Sequence, residues 1–393
     1  MSRRIKISLV VLSLLINTFG ISAMNSGCNV ADYSKKRIFY PVNVRKINKF
    51  TNLYGHSRKN CVNFLIGNEM SQAILHAMFD NSVVRLDAGN REVIFVGDLH
   101  TSLNSLKALE NSFLEEKLAR NQAIVVFTGD YADPKVYAGS QGGHSAKNGI
   151  LWRNLKPSDG CTGSYAIVCY VTHLKANYPN NVVLLRGNHE STELFDGIGL
   201  SWLSGEQKIG IPGNNTDYYS QMAIDNLRTF YKSLPFGVEI MSGGKKIVAF
   251  HGCLPRYHYY SYLNLNLDNY RFQNVDCAAE EENSRSDEDN GVVELLWNEI
   301  EWDNQDEYNG RGVGVKLLKK DELDNMMKEL NISYFIHGHN HTETSRKKLS
   351  EGRESICVIS FDPCQEGVES ARVVKFKNGV PEIIYRKDWV DKI

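Results

Sequence analysis

From residue 91 onward, short apolar runs alternate with polar turns and with stretches of helical periodicity. The runs have the length of strands, and those predicted are Val93–Val96, Ala123–Phe127, Val182–Leu185, Lys246–Phe250, Ile332–Ile336, Cys357–Ser360, Arg372–Phe376 and Val380–Tyr385. A 3.6-residue period predicts helices over Ser105–Leu118, Asp217–Leu234, Gly291–Glu301 and Asp321–Leu330. Strands that alternate with helices indicate the α/β class. The closing hairpin at Asn378-Gly379 indicates a mixed sheet.

Three regions depart from this alternation. Residues 134–164 contain Gly, Ser and Lys with little periodicity and are predicted to form a long loop. Residues 276–290 carry seven acidic residues against one arginine, which is typical of a solvated, mobile loop, with a partner-binding role as the alternative. Residues 24–90 lack a clear pattern and are predicted to be an extension that packs on a core domain of residues 91–393.

The N-terminus has the pattern of a secretory signal peptide over residues 1–23. Three basic residues precede the apolar stretch Ile7–Ile16, and small residues follow it. The stretch is too short for a membrane span. We therefore expect a secreted or periplasmic protein without stable membrane insertion. The alternatives are an uncleaved anchor or, less favoured because of Asn25, a lipid on Cys28.

Composition narrows the function classes. The 393 residues are 42% hydrophobic and 23% charged, as in soluble globular proteins. The net charge of −1 gives no basic field for nucleic acid, so no nucleic-acid partner is expected. Export would permit disulfides among the eight cysteines. In a chain of this length, we expect the cysteines to be core residues or to form a few disulfide bonds, rather than a disulfide framework.

Five predicted strands end in residues that can bind metals. They carry the segments GDLH (Asp98, His100), GDYAD (Asp130, Asp133), RGNHE (Arg186, Asn188, His189, Glu190), HG (His251) and HGHNH (His337, His339, His341). Ligand sites in open α/β sheets gather at the carboxyl ends of strands. Carboxylate, imidazole and amide donors suit Mn, Fe or Zn. Each piece alone has a structural alternative, such as Asp98 capping a helix that starts near Thr101.

These segments, in this order, resemble the metallophosphoesterase superfamily and, more narrowly, the calcineurin-like phosphoprotein phosphatases. LLRGNHES is the most specific piece, and GRGVGV, with Arg311, resembles a second family segment. The resemblance spans roughly residues 91–385. It implies a mixed β-sandwich flanked by helices, with the active site at the carboxyl ends of the strands.

The resemblance also assigns roles. Asp98 and His100 would bind a first divalent ion, and Asp130 would bridge it to a second. The second ion would be completed by Asn188, His251 and His339. His341 has the spacing of an extra ligand to the first ion, and His337 is expected to point away. His189 matches the general acid, oriented by Asp133. Arg311 matches a phosphate-binding arginine. Arg186 is expected nearby, with a structural salt bridge as the equal alternative.

Two departures put substrate choice in doubt more than metal binding. The family has an arginine after the aspartate of its second motif, but here Pro134 follows Asp133. Proline cannot replace a guanidinium that grips phosphate, although Lys135 could act as a point charge. Thr101 also replaces the family's glycine.

These observations predict a metal-dependent phosphomonoesterase, foremost a protein phosphatase, in which two ions activate a water molecule and clamp the phosphoryl group. Its substrate would be a phosphoprotein or a phosphorylated small molecule. A nucleotide-directed hydrolase, acting on a dinucleoside polyphosphate or a cyclic nucleotide, is the alternative enzyme. An inactive metal-holding interaction module is the alternative outside enzymes.

Overall fold

The apolar strands pair into two mixed β-sheets. The computed structural model describes residues 50, 54, 58–100, 102–131, 157–190, 218–256, 262–270, 287–302, 317–340, 346–360 and 371–393. They all belong to one compact unit, Val44–Ile393. No helix in these ranges is long and apolar enough to cross a membrane.

The first sheet has five strands in the order β13-β12-β2-β3-β4. These are β2 Glu92–Val96, β3 Ala123–Phe127, β4 Val182–Leu184, β12 Arg372–Lys377 and β13 Val380–Tyr385. Strands β2, β3 and β4 run parallel, while β12 pairs antiparallel with β2 and β13. The predicted closing hairpin and mixed sheet are confirmed.

The second sheet has six strands in the order β1-β5-β6-β9-β11-β10. They are β1 Val83–Asp87, β5 Gly237–Ser242, β6 Lys245–Phe250, β9 Tyr334–His337, β10 Arg346–Lys348 and β11 Glu354–Cys357. A small separate sheet pairs β7 Glu299–Glu301 with β8 Leu317–Lys319. Strand β1 pairs in parallel with β5, so residues before position 91 contribute to this sheet.

The helices cover the outer faces of the two sheets. They are α1 Arg58–Leu65, α2 Asn68–Phe79, α3 Leu103–Asn111, α4 Leu114–Ala119, α5 Pro157–Asn177, α6 Tyr218–Ser233, α7 Leu267–Tyr270, α8 Asp287–Trp297, α9 Lys320–Glu329 and α10 Trp389–Lys392. Short 3₁₀ turns lie at Asn188–Glu190, Tyr262–Asn264, Ser350–Gly352 and Arg386–Asp388.

Within the described residues, three large apolar clusters lie between these layers. One lies between the sheets and includes Phe95 of β2, Val126 of β3 and Ile336 of β9. A second joins the outer face of the five-stranded sheet to helices α1–α6, and a third joins the six-stranded sheet to α8 and α9. The β-sandwich flanked by helices is therefore confirmed.

Several sequence predictions need correction. Residues 157–164, predicted as part of a loop, form the first two turns of α5; residues 134–156 lie outside the described residues. In the acidic run, residues 287–290 begin α8 instead of continuing a loop. The predicted helix Gly291–Glu301 ends at Trp297, because its last residues form β7.

The predicted helix Ser105–Leu118 is interrupted. The Ser112 hydroxyl donates to the Leu109 carbonyl oxygen at 2.7 Å and accepts from the Leu114 N–H at 3.3 Å, so one helix ends and another begins there. The region 24–90, whose sequence shows no clear pattern, contains α1, α2 and β1 in its described part. Strand β9 begins at Tyr334 instead of Ile332, and β11 covers Glu354–Cys357 instead of Cys357–Ser360.

The shift of β11 has a physical reason. After Cys357 the chain leaves the six-stranded sheet and crosses to the end of β2 in the other sheet. The Ser360 N–H donates to the Asp98 carbonyl oxygen at 3.0 Å, and the Gly97 N–H donates to Ser360 Oγ at 2.9 Å. Residues 358–360 thus tie both sheets together beside Asp98.

Candidate metal centre

The carboxyl ends of five strands bring the predicted ligands to one place. Asp98 follows β2, Asp130 follows β3, Asn188 follows β4, His251 follows β6 and His339 follows β9. Together with His100 and His189 they form what we call the strand-end cluster. The predicted residues Asp133, Arg311 and His341 lie outside the described residues.

Asp130 stands at the centre of the strand-end cluster. Its Oδ2 lies 3.8 Å from His100 Nε2, 3.9 Å from His189 Nε2 and 3.3 Å from His251 Nε2. Asp130 belongs to two groups of potential metal ligands, and within each group the ligand atoms all lie within 4.8 Å of one another. The first group is His100, Asp130 and His189, and the second is Asp130, His251 and His339. This arrangement suits two ions bridged by one carboxylate.

Asp98 lies between the same two groups. Its Oδ2 is 4.0 Å from His100 Nε2, and its Oδ1 is 3.8 Å from His251 Nδ1. The backbone N–H of His339 donates to Asp98 Oδ2 at 2.9 Å, which joins the β2 end to the β9 end. The helix that follows is capped by Ser102, which accepts from the Ser105 N–H at 3.3 Å. The sequence left open a capping role for Asp98, but Ser102 fills it.

Asn188 and the second pair of histidines face each other closely. Asn188 Oδ1 lies 2.8 Å from His251 Nε2 and 3.0 Å from His339 Nδ1. His251 Nδ1 lies 2.9 Å from the Thr128 carbonyl oxygen, to which it can only donate, so a neutral ring turns its Nε2 lone pair towards Asn188 and Asp130. Acceptor atoms this close need either protons or a cation between them.

The backbone holds these residues in an unusual conformation. His100, Asp130 and His339 have φ values of 43°, 53° and 56°, in the left-handed region that non-glycine residues rarely adopt. Two glycines leave room beside the carboxylates: a Cβ on Gly187 would collide with Asp130 Oδ1, and one on Gly338 would collide with Asp98 Oδ1. Such strain clusters at functional sites.

The charges of the cluster favour a cation. Burial alone would raise the pKa of Asp130, but the imidazoles of His251 and His189 hold it well below its usual range. Burial opposes a charge on His251, yet Asp130 and Asp98 raise its pKa to about 9. Fully buried carboxylates that hold positive charge on their neighbours also favour a divalent ion, which would displace those protons. The residues present therefore fit a dinuclear metal centre.

Other predicted residues take different positions. His189 is the member nearest to solvent, with a side chain 11% exposed, and its ring lies 5.1 Å from that of His100, edge to face. Arg186 is fully buried, and its guanidinium lies over the Phe236 ring at 5.7 Å, which favours a structural role for it. His337 stacks on Phe335, and burial lowers its pKa to about 4, so it is neutral.

Glu190 is a residue whose importance the sequence did not reveal. It is fully buried, and its carboxylate accepts from the backbone N–H groups of Asp130 (2.8 Å), Tyr131 (2.9 Å) and Gly187 (2.8 Å). Burial raises its pKa to about 8, while these N–H groups favour the charged form. Glu190 therefore ties the Asp130 turn to the Asn188 turn. In the sequence, the feature that could have indicated this role is the position of Glu190 within the segment RGNHE.

Comparisons with known proteins agree with this geometry. The family model described as calcineurin-like phosphoesterase matches residues 92–343. This family hydrolyses phosphate esters and uses a dinuclear divalent metal centre. A search of curated proteins finds no match.

Among solved structures, a protein serine/threonine phosphatase from Saccharomyces cerevisiae with similarity to human phosphatase PP5 shares the fold. It has a TM-score of 0.54 and 16% identity, and the match covers 84% of this chain and 89% of that one. A cold-active protein-tyrosine phosphatase of a Shewanella species also matches, with a TM-score of 0.41, 16% identity and coverage of 76% and 81%.

Proposed function

The chain belongs to the calcineurin-like phosphoesterase family, and we propose that within it the protein is a phosphomonoesterase that dephosphorylates proteins. The observation that carries the metal-dependent chemistry is the pair of ligand groups that share Asp130, and the choice of proteins as substrates is supported by the resemblance of LLRGNHES to the phosphoprotein phosphatases. One ion would be held by Asp98, His100 and Asp130, and the other by Asp130, Asn188, His251 and His339. When bound, two such ions polarise the phosphoryl oxygens and activate a water molecule.

His189 is the proposed general acid. Among the imidazoles of the strand-end cluster it has the most exposed side chain, so it is the one nearest to solvent, from which an ester would approach. The backbone N–H of His189 donates to Asp130 Oδ1 at 3.0 Å, which fixes His189 relative to the shared carboxylate. From there its imidazole would protonate the leaving oxygen, an alkoxide or a phenoxide. Asp133 as its orienting group and Arg311 as a phosphate ligand remain predictions.

The test is an assay of the purified protein after removal of metal and reloading with Mn, Fe or Zn. We expect turnover of p-nitrophenyl phosphate with little turnover of bis-p-nitrophenyl phosphate, and release of phosphate from phosphoserine or phosphothreonine peptides. Turnover of the diester above the monoester would instead support a nucleotide-directed hydrolase. Metal binding without turnover of either would support an interaction module.

We also propose that the protein is exported, on the basis of the N-terminal pattern of residues 1–23. The intact mass of the protein recovered from its native cells tests this. A mature chain that begins close to Met24 is expected, and a chain that retains Met1–Ala23 would contradict it.

A further inference from the structure

A single buried hydroxyl joins three segments of the backbone beside Asp98. It belongs to Ser360, which has no exposed surface and ends the crossing segment, residues 358–360 between the two sheets. The Ser360 Oγ accepts from the Gly97 N–H at 2.9 Å and donates to the Arg372 carbonyl oxygen at 2.8 Å. These partners lie at the end of β2 and at the start of β12. The hydroxyl therefore serves as donor and as acceptor in tying the crossing segment to the five-stranded sheet.

The crossing segment lies so close to the end of β2 that no side chain fits between them. A Cβ on Gly97 would collide with the Val358 carbonyl oxygen, so this position requires glycine. The next residues form a parallel bridge between Asp98 and Ile359, and the Ser360 N–H donates to the Asp98 carbonyl oxygen at 3.0 Å. The crossing segment thus fixes the backbone from which the Asp98 carboxylate projects.

The position of this strand end matters most for the first ion. Asp98 and His100, the two ligands that only the first ion would use, lie just after Gly97. The His100 N–H donates to the Asp130 carbonyl oxygen at 2.9 Å, and the Asp98 carboxylate accepts from the His339 N–H at 2.9 Å. Because metal ligands keep their distances within about 0.2 Å, a small shift of the β2 end would disturb the first ion. The remaining ligands of the second ion stand on other strands.

We propose that Ser360 is a positioning residue for the first ion, because its hydroxyl holds the end of β2 where Asp98 and His100 reach the shared carboxylate. This inference rests on the proposed function, since it requires the dinuclear centre. Ser360 is not itself a ligand and acts through Gly97. Without the hydroxyl, two buried backbone groups lose this partner, which costs free energy and favours a shift of the strand end. The first ion then binds more weakly, and the second is retained.

A second buried serine joins the two sheets at their other end and provides a matched control. Ser242, the last residue of β5, is 2% exposed, and its Oγ accepts from the Gly379 N–H of the closing hairpin at 3.2 Å. Because β12 runs antiparallel to β2, this hairpin lies at the opposite end of the five-stranded sheet from Asp98. Ser242→Ala therefore removes the same kind of bond between the sheets but leaves the metal ligands in place.

The test is equilibrium dialysis of the metal-free full chain against Mn²⁺, with bound ions counted by plasma mass spectrometry. The wild type should bind two ions. Ser360→Ala should keep one at wild-type affinity and bind the other on the order of 10- to 100-fold more weakly, whereas Ser242→Ala should bind both as the wild type does. In a His100→Ala background, where the first ion has already lost a ligand, adding Ser360→Ala should change Mn²⁺ binding little.

The outcomes separate this inference from the proposed function. If the wild type binds two ions and Ser360→Ala binds both with unchanged affinity, the positioning role is overturned and the dinuclear centre stands. Equal weakening in Ser360→Ala and Ser242→Ala, or weakening by Ser360→Ala that persists in the His100→Ala background, would also overturn it. A wild-type chain that binds fewer than two ions would overturn the dinuclear centre and this inference together.

Hydrogen exchange of the wild-type chain tests the same coupling without a substitution, so the test survives if Ser360→Ala fails to fold. Coupling between two sites is reciprocal: if the bonds of Ser360 strengthen the binding of the first ion, that ion must strengthen those bonds. Mn²⁺ should therefore slow amide exchange more in peptides that cover residues 358–360 than in peptides that cover Gly379. Equal slowing in both, or no slowing in residues 358–360, would overturn the inference.

Discussion

Two clusters of histidines and carboxylates in this protein use similar residues in different ways. The strand-end cluster gathers imidazoles around shared oxygens, with Asp130 Oδ2 3.3–3.9 Å from three of them. A second group, here called the helical cluster, consists of Glu69 of α2, Glu115 of α4 and His173 of α5. There each imidazole nitrogen has its own carboxylate, His173 Nδ1 at 3.1 Å from Glu69 and Nε2 at 3.4 Å from Glu115.

The difference lies in how the donors are distributed. Burial would lower the pKa of His173, but Glu115 and Glu69 raise it to about 9, so one proton gives the helical cluster the positive charge that it needs. In the strand-end cluster the nitrogens converge on shared oxygens at distances mostly too long for hydrogen bonds. One cluster is completed by a proton, whereas the other is arranged for divalent ions.

The largest effect is expected for Asp130→Asn, which removes the shared charge of the strand-end cluster. Because bound ions contribute several kcal/mol of charge stabilisation, monoester turnover should fall on the order of 1000-fold or more. Plasma mass spectrometry should show loss of metal from the purified variant. Asp225→Asn, at a carboxylate whose side chain is 59% exposed, is the control and should change neither quantity. Full metal content in Asp130→Asn would refute the bridging role.

His189→Asn distinguishes a proton donor from a metal ligand. We expect both ions to be retained, with turnover of an alkyl phosphate reduced about 100-fold. The loss should be smaller for p-nitrophenyl phosphate, because its leaving group needs less protonation. An equal loss on both substrates, or a fall in metal content, would show that His189 is not the general acid.

Glu190→Gln should have a more moderate effect. The amide nitrogen of glutamine cannot accept, so at least one of the three backbone N–H groups loses its partner. Metal retention against a chelator should weaken about tenfold, as for other partners that orient ligands. Glu116→Gln, at a partly exposed glutamate of α4, is the matched control. Unchanged metal retention in Glu190→Gln would mean that the tie between the two turns does not support the centre.

His173→Gln should leave turnover unchanged and alter stability alone. The raised pKa means that the contribution of His173 is fully present below pH 6.5 and is lost as the pH rises through 9. Because Glu69 is 43% exposed, solvent screens part of this interaction, and we expect His173 to contribute on the order of 2 kcal/mol to the free energy of unfolding at neutral pH. Tyr178 is a further titratable group at this cluster, because its hydroxyl donates to the Glu115 carboxylate at 3.3 Å. In urea unfolding, the free energy of unfolding should be lower for the variant than for the wild type at pH 7, and this difference should narrow by pH 10. A difference that stays constant would contradict the prediction.

The strand-end cluster could be predicted from the sequence because its signals are local. Strands such as Ala123–Phe127 are continuous apolar runs with clear ends, and each metal-binding motif follows its strand directly. Parallel strands place those ends at one edge of the sheet. The roles of Thr128 and Glu190 could not be predicted, because they depend on backbone groups that meet only in the folded chain.

The helical cluster had no such signal. His173 is 104 residues from Glu69 and 58 from Glu115, and no motif joins them. Helix α5 itself was not predicted, because residues 165–171, which pack it on the core, are all buried and show no amphipathic period. Its first turns are rich in Gly and Ser, a composition typical of loops.

The central claim is that two cations share the Asp130 carboxylate. An anomalous difference map from a crystal of this protein soaked in manganese tests it most directly. We predict two peaks, one beside Asp98 and His100 and the other beside Asn188, His251 and His339, with Asp130 coordinating both. No peak among Asp98, Asp130, Asn188 and His251, or a single peak that does not touch Asp130, would contradict the claim.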